Sequence, residues 1–380
     1  MATIRPGRWG ALLLAFALAA CQRAPEPVSF IASGQPRDLS DWHVLRVEGG
    51  RLKPNDGVLP YDLVTPLFSD YAHKLRTVWM PPGEAAKYRP DDAFDFPVGT
   101  IFSKTFYYPR GDGDALVRSI DEGADLRGGG LELSKVRLVE TRLLVRREAG
   151  WLALPYVWNA EQTAATLMRG GELVPLTLEA ADADAHTGAA RIDYQVPDQN
   201  QCGSCHGTDT RTRALQPIGP KARHLNRSFA YDGGPQNQLA RWTEVGYLAG
   251  APAADAAPRD ADWHDSSAPL DARARAYLDV NCGHCHSAHG AGNTSGLWLD
   301  ASAREPLRLG RCKLPIAAGK GTGDRRYGVV PGRPDDSILL YRLESDDPSV
   351  MMPELGRSVV HAEGVSLIRE WIASQRGTCG

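Results

Sequence analysis

Two short motifs of identical form constrain this chain more than any other feature of its sequence. Cys202-Gly-Ser-Cys205-His206 and Cys282-Gly-His-Cys285-His286 both have the pattern Cys-x-x-Cys-His. Thiols at this spacing lie on one side of a helical turn, and the histidine follows directly. Each motif therefore predicts a short helical turn that presents two thiols and one imidazole to a single planar group, which the rest of the chain has to enclose.

This spacing is the attachment signature of c-type haem, in which two thiols bond to the haem and the histidine ligates the iron. We therefore expect two covalently bound haem c groups. The residues expected to hold them are Cys202, Cys205, Cys282 and Cys285, with His206 and His286 as iron ligands. Paired cysteines also occur in zinc sites and in thioredoxin-like redox pairs. The wide separation of the two pairs and the histidine after each argue against zinc, and no βαβ pattern surrounds either pair.

The N-terminus predicts export. Arg5 and Arg8 precede a short apolar run at 11–20, which is typical of a signal peptide and too short for a membrane-spanning helix. Leu18-Ala-Ala-Cys21 resembles a bacterial lipobox, which implies cleavage before Cys21 and lipid on its thiol. A plain signal peptide followed by an incidental cysteine is the alternative. Gln22 favours the outer membrane as the anchor.

The expected location is the periplasmic side of the cell envelope, with contact to the membrane through the lipid anchor only. Residues 21–38, rich in Ala, Pro, Gln and Ser, are expected to form a flexible tether. The formal net charge is −3, and no long basic block is present, so nucleic acid is not an expected partner.

Residues 39–196 are expected to form a β-rich, sandwich-like domain, so the chain as a whole is predicted to be a multidomain α+β protein. Residues 136–145 and 151–158 predict a hairpin around Glu148-Ala-Gly150, and residues 192–196 alternate as a strand. The many aromatic side chains of this region are expected to be core rather than a binding surface.

Residues 197–250 form the first haem-binding segment, with a short helix at 235–246, and residues 251–268 look like a linker. Helices are then predicted at 271–281, 335–343 and 362–374. The order of helix, Cys-x-x-Cys-His motif, helix, Met-Pro loop and terminal helix resembles a class I cytochrome c domain, expected at 269–380. That resemblance implies Met352, beside Pro353, as the second iron ligand, with Met351 as the alternative.

No comparable methionine loop follows the first motif. We consider His224 the first candidate for the second ligand of that iron, followed by Met168, Met80 and His73; an iron without such a ligand would be open to peroxide or another small molecule. The cations considered for pairing with the haem propionates are Lys221, Arg223, Lys313 and Lys320. Cys312 and Cys379 could form a disulfide after export or remain as two free thiols.

The mature chain also resembles a family of bacterial dihaem c-type cytochrome lipoproteins. The segments that carry the resemblance are Pro60-Tyr61-Asp62-Leu63, 65–70, 96–100, 154–159, 217–221, 225–227 and 351–356. The part from the first motif onward is similar to haem domains appended to some periplasmic sugar dehydrogenases. This implies electron transfer with a redox partner protein, a periplasmic dehydrogenase or another cytochrome, rather than catalysis. The alternatives are a dihaem peroxidase-like oxidoreductase with an open first haem, and a β domain that binds carbohydrate or protein.

Overall fold

The structure is a computed structural model that describes residues 25–120, 130–180, 190–316 and 318–380. The expected signal peptide 1–20 and the expected lipidation site Cys21 lie outside the described residues. None of the helices in the described part of the chain is both long and apolar enough to span a bilayer. The strands are β1 (Leu45–Glu48), β2 (Arg51–Pro54), β3 (Leu59–Tyr61), β4 (His73–Trp79), β5 (Ala86–Lys87), β6 (Ile101–Pro109), β7 (Leu116–Arg118), β8 (Leu131–Glu132), β9 (Val136–Arg147), β10 (Gly150–Trp158), β11 (Ala165–Leu167), β12 (Glu172–Ala180), β13 (Ala190–Val196), β14 (Ser228–Tyr231), β15 (Gly234–Asn237) and β16 (Leu248–Ala249). The helices are α1 (Gln199–His206), α2 (Ala222–Leu225), α3 (Gln238–Glu244), α4 (Leu270–Leu278), α5 (Ile338–Glu344) and α6 (Ala362–Ser374), with a π-helical turn at Asp279–Gly283.

The N-terminal region is dominated by a sheet of six antiparallel strands in the order β11-β10-β9-β6-β4-β3. The predicted hairpin is confirmed, because β9 and β10 pair from Arg147 and Gly150 outward across a two-residue turn. Strands β4, β6, β9 and β10 bury most of their residues, including consecutive ones, as a sheet packed on both faces requires.

Both faces of this sheet are covered. One face packs on β2 and β8 through Leu52 and Leu131. The opposite face packs on two layers: the sheet β13-β12-β7, through Phe106 and Tyr194, and the first motif segment with α2 and α3, through Trp242. The first motif therefore lies directly against the largest sheet.

Residues 25–38 differ from the flexible tether that their composition predicts. Val28, Phe30 and Ile31 pack on the sheet core, and the backbone carbonyl of Arg37 accepts a hydrogen bond from the N–H of Leu167 at 2.8 Å. These apolar side chains pack in the same core as residues of the edge strand β11. The free energy gained by burying them there outweighs the conformational entropy lost by ordering the segment.

The C-terminal region is helical and has its own core. Helices α4, α5 and α6 bury Tyr277, Leu340, Ile368 and Trp371 together, and the predicted terminal helix 362–374 coincides with α6. The expected linker 251–268 is irregular but packed, since Trp263 is buried in this same core. The protein is thus a mixed α+β chain, with antiparallel sheets in its N-terminal region and several helices in its C-terminal region.

Candidate functional site

The first motif occupies a short capped helix. The Asp198 carboxylate accepts a hydrogen bond from the N–H of Gln201 at 2.8 Å, and the Gln201 side chain accepts one from the N–H of Asp198 at 3.0 Å. This reciprocal capping starts α1 immediately after β13. The two cysteines and the histidine therefore stand on one helical turn, held at a fixed distance from the large sheet.

His206 is prepared as a metal ligand. Its Nδ1 lies 2.7 Å from the carbonyl oxygen of Gln216, to which it donates its proton. Burial lowers the pKa of His206 to about 4, although the Gln216 carbonyl opposes the shift, so the ring is neutral at neutral pH. A histidine anchored through Nδ1 keeps the lone pair on Nε2 for a metal, and His206 lines a cavity.

The second motif follows α4, which continues into the π-helical turn at Asp279–Gly283. Its histidine, His286, is also buried enough for the pKa to be lowered, first by burial and then by the charge of Arg342. Gly292 lies against the ring: a Cβ atom there would stand 2.9 Å from both Cε1 and Nδ1 of His286. Only glycine leaves the imidazole its present orientation.

Both motifs line one cavity of about 770 Å³, near the upper end of ligand-pocket volumes. The motifs also touch each other. The Cys285 sulfur lies 3.7 Å from the Ser204 carbonyl oxygen, and the N–H of Thr210 donates to the His289 carbonyl at 2.9 Å. His289 is exposed, whereas His284 is half-buried and lines the cavity.

Met352 lines this cavity, whereas the alternative Met351 does not and is only 6% exposed. The backbone around Met352 is fixed by Arg357, whose Nη2 donates to the Met352 carbonyl at 2.9 Å and to the Ser345 carbonyl at 2.8 Å. The Met352 thioether therefore belongs to a loop whose backbone is fixed by hydrogen bonds from Arg357.

None of the four residues considered for the first iron lines the cavity: His224, Met168, Met80 and His73. His224 lies elsewhere because both of its ring nitrogens have partners. Its Nδ1 lies 3.1 Å from the Gly219 carbonyl oxygen, and its Nε2 lies 2.9 Å from Oδ2 of Asp279. This arrangement argues against His224 as an iron ligand, because its Nε2 already contacts the buried carboxylate of Asp279, which is distant in the sequence.

His224, Asp260 and Asp279 are the one group of potential metal ligands found to converge within 4.8 Å among the described residues. Asp279 already forms an ion pair with the guanidinium of Arg223, whose Nε donates to Oδ2 at 2.7 Å and whose Nη2 donates to Oδ1 at 3.2 Å. The cluster is therefore a buried ion-pair network. It joins the first motif segment to the π-helical turn that leads into the second motif.

The four motif cysteines are free thiols in the structure. Burial raises the pKa of Cys202 to about 11 and those of Cys282 and Cys285 to about 12. Thioredoxin-like pairs instead have a lowered thiol pKa. The four sulfurs also do not converge as zinc ligands would, within the described part of the chain.

The large sheet contributes a set of cations that the sequence reasoning missed. Arg76 on β4, Lys104 on β6 and Arg142 on β9 are directly opposite one another in register, and Lys104 and Arg142 line the cavity. In the sequence, Lys104 stands out as the single charged residue of β6, whereas β4 and β9 carry several charged residues each. Of the four cations that the sequence did single out, Lys313 alone lines the cavity, whereas Lys221, Arg223 and Lys320 face carboxylates elsewhere.

Cys312 and Cys379 form a disulfide with Cα atoms 5.2 Å apart. It ties the loop beyond the second motif to the end of the chain, past α6. The cysteines therefore divide into one bonded pair and the two motif pairs.

No family model, curated protein or solved structure matches this chain. What the site can hold therefore has to be judged from its own residues.

These residues fit two covalently attached haems. The thiol pairs are unbonded, His206 presents a neutral imidazole, and Met352 offers a thioether within the same cavity. Leu314 and Ile316 line this cavity while 56% and 58% exposed, so a large apolar planar group would cover apolar surface that is otherwise in water.

Proposed function

We propose that this protein is a c-type cytochrome that carries electrons through two covalently bound haems. One observation carries the proposal: both Cys-x-x-Cys-His motifs line a single cavity of about 770 Å³. Each motif of this kind is the attachment signature of one covalent haem, so two motifs that face one space support two adjacent haems.

The proposal includes the finer architecture. Residues 269–380 form a class I cytochrome c-like unit, and residues 39–196 form a sandwich-like scaffold that supports the first haem. The family of bacterial dihaem cytochrome lipoproteins is the proposed affiliation, on the segments that carry the resemblance. The order of α4, second motif, α5, Met352 loop and α6 supports the cytochrome c-like unit.

The chain's own residues hold, orient and shield the cofactors. When bound, each haem supplies exchange of one electron between ferric and ferrous iron. His206 and His286 provide neutral imidazoles, and Met352 provides a thioether, which favours the ferrous state and a high potential. The contact of Cys285 with Ser204 brings the two attachment sites together, which suits exchange between them.

The proposed location is the periplasmic side of the envelope, anchored through lipid on Cys21, most simply in the outer membrane. The proposed partner is a periplasmic dehydrogenase or another cytochrome.

The test is the haem content of the protein matured in a host with the c-type attachment machinery. We expect two covalent haems per chain by pyridine haemochrome assay and by intact mass. The double variants Cys202→Ser/Cys205→Ser and Cys282→Ser/Cys285→Ser should each retain one haem. The control Cys312→Ser/Cys379→Ser removes two cysteines outside the motifs and should retain both haems; a haem-free wild type would refute the proposal.

One observation favours a second candidate, a peroxidase-like oxidoreductase. None of the residues expected as second ligand to the first iron lines the cavity, and an open iron is what peroxide chemistry requires. Prompt binding of carbon monoxide by half of the reduced haem, together with peroxide turnover, would support it. A spectrum that carbon monoxide does not change would leave electron transfer as the remaining one of these two candidates.

The third candidate, a carbohydrate- or protein-binding β domain, gains nothing from the aromatic residues of this region. Trp42, Tyr61 and Tyr71 are buried, and Phe68 and Trp79 are half-buried. Among the described residues, the large hydrophobic side chains classed as exposed include no aromatic ring. These rings are core, which fits a scaffold.

A further inference from the structure

Three cations face one another across the large sheet, and we refer to Arg76, Lys104 and Arg142 as the basic row. Lys104 pairs with Arg76 on one side and with Arg142 on the other in the strand register. Like charges directly opposite in a sheet repel each other and destabilise it. Arg76 is buried and Lys104 and Arg142 are half-buried, so a row of three such residues calls for compensating negative charge.

The two outer members of the row, Arg76 and Arg142, each have a carboxylate that compensates their charge. Arg76 Nη1 lies 2.7 Å from Oδ1 of Asp62, and Arg142 Nε lies 2.9 Å from Oε2 of Glu140. Glu140 is fully buried and also accepts a hydrogen bond from the Tyr194 hydroxyl at 2.7 Å. Each guanidinium is thus matched by one carboxylate.

Lys104, in the middle, is not matched. Among the residues that the structure describes, no carboxylate forms an ion pair with its ammonium group, whose recorded contact is with the ring of Phe106, at 4.9 Å from its centroid. Burial and the neighbouring charges of Arg142, Arg76 and Lys74 lower the pKa of Lys104 well below its ordinary value, although the charge of Glu140 opposes the shift. A buried ammonium without a partner is costly unless an anion joins it.

The free side of Lys104 faces the cavity, next to the first motif. Lys104 and Arg142 both line the cavity, and both charges add to burial in lowering the pKa of His206. The same two charges act on the Cys205 thiol. The groups that act on His286 and Cys285 include neither of them, so the row belongs to the first motif and not to the second.

We propose that the basic row is a carboxylate-binding site and that its ligand is a propionate group of the haem attached at Cys202 and Cys205. The proposal rests on the proposed function and gives the β-rich region a role within it. The large sheet would supply the positive charge on one side of the first haem pocket. Arg142 and Lys104 would donate to the carboxylate oxygens, and Arg76, held by Asp62, completes the positive row.

The consequence is measurable as a reduction potential. A cation beside a haem favours the more negative, ferrous state, so the row raises the potential of the first haem. Replacement of Lys104 by neutral methionine, which is similar in length, should lower that potential. Replacement by arginine keeps the charge and should preserve it.

The experiment is a redox titration of the full-length holoprotein in three forms: wild type, Lys104→Met and Lys104→Arg. We expect two haems per chain in all three, one midpoint potential lowered in Lys104→Met, and that potential restored in Lys104→Arg. The second haem is identified as the one whose potential falls in Met352→His. Lys313→Met, at the other cavity-lining lysine, is the matched control and should leave the first potential unchanged.

The other outcomes separate the possibilities. A wild type without haem would refute the proposed function, whereas two haems with an unchanged first potential in Lys104→Met would refute this inference alone. A change to a high-spin spectrum in both Lys104 variants would make Lys104 an iron ligand and overturn the carboxylate site. A wild-type potential that depends on sodium acetate at constant ionic strength, with no dependence in Lys104→Met, would mean that a free anion occupies the row and would overturn the propionate assignment.

Discussion

The carboxylate of Asp70 binds Ser358 twice, accepting hydrogen bonds from its N–H at 2.7 Å and from its hydroxyl at 2.9 Å. Asp70 also accepts from the N–H of Val359 at 3.0 Å. It lies on a turn of the β-rich region where Asp70 and Tyr71 both have left-handed backbone, with φ of 48° and 59°, a conformation that non-glycine residues rarely adopt. The β-rich region thus holds the segment next to Met352 through one carboxylate.

Removal of that carboxylate should loosen the Met352 loop. Asp70→Ala leaves the N–H groups of two half-buried residues unpaired, which should cost about 1–3 kcal/mol of unfolding free energy. We expect carbon monoxide to gain access to the second haem and its midpoint potential to fall. Asp70→Asn keeps an acceptor oxygen and should retain most of the wild-type behaviour; equal effects of the two variants would mean that the hydrogen bonds do not support the loop.

The two adjacent methionines should separate cleanly by function. Met352 lines the cavity and Met351 is packed in the core. Met352→Leu should open the second iron to carbon monoxide and lower its potential, because the thioether is lost while the volume is kept. Met351→Leu should change neither property. The opposite pattern, measured by the same titration, would assign the ligand to Met351.

Local sequence signals accounted for the parts of the site that lie on single elements. The hairpin of β9 and β10, helix α6 and the position of Met352 beside Pro353 are encoded by short-range patterns. Each depends on residues within one turn or one hairpin, where periodicity and turn chemistry are decisive.

Relationships between distant elements could not be read from the sequence. The basic row depends on the register of β4, β6 and β9, and no local pattern fixes which residues of separate strands face one another. The pairing of His224 with Asp279 could not be foreseen, because the two residues are 55 positions apart in the sequence. Residues 25–38 appeared to be a tether because the sheet edge that buries them is not visible in their composition.

Gly292 should be irreplaceable beside the ring of His286. A Cβ atom at this position would stand 2.9 Å from two atoms of the His286 ring, so Gly292→Ala has to displace the imidazole. Overpacking of this kind should cost about 1–3 kcal/mol. We expect a lower second midpoint potential or a loss of second-haem occupancy, measured by titration and haemochrome assay. Gly170→Ala, where a new Cβ meets nothing within 4 Å, is the control and should behave as wild type.

His224 should prove structural rather than ligating. His224→Gln keeps a donor for Asp279 but removes the imidazole, so we expect unchanged visible spectra of both oxidation states and no new binding of carbon monoxide. The free energy of unfolding should fall, because glutamine cannot keep both contacts of the His224 ring nitrogens, with the Gly219 carbonyl and with Asp279. A change to a high-spin spectrum would restore His224 as the ligand of the first iron.

The Asp279 network should govern stability in acid. Burial raises the pKa of Asp279, but the hydrogen bond from His224 and the charge of Arg223 lower it by more. The pKa of Asp279 therefore lies well below its ordinary value of 3.8. A carboxyl group with a lowered folded-state pKa contributes stability that is present above its unfolded pKa and is lost as the pH falls towards the folded one. Denaturant unfolding at a series of pH values should therefore show wild-type stability declining below about pH 4. Asp279→Asn removes the nearer carboxylate of the buried Arg223 and leaves only Asp260, at 3.8 Å from Nε, as an ion-pair partner. This should cost up to about 3–5 kcal/mol at neutral pH, and the stability of the variant should decline less steeply in acid. Parallel acid profiles of the two proteins would show that Asp279 is not the group that responds.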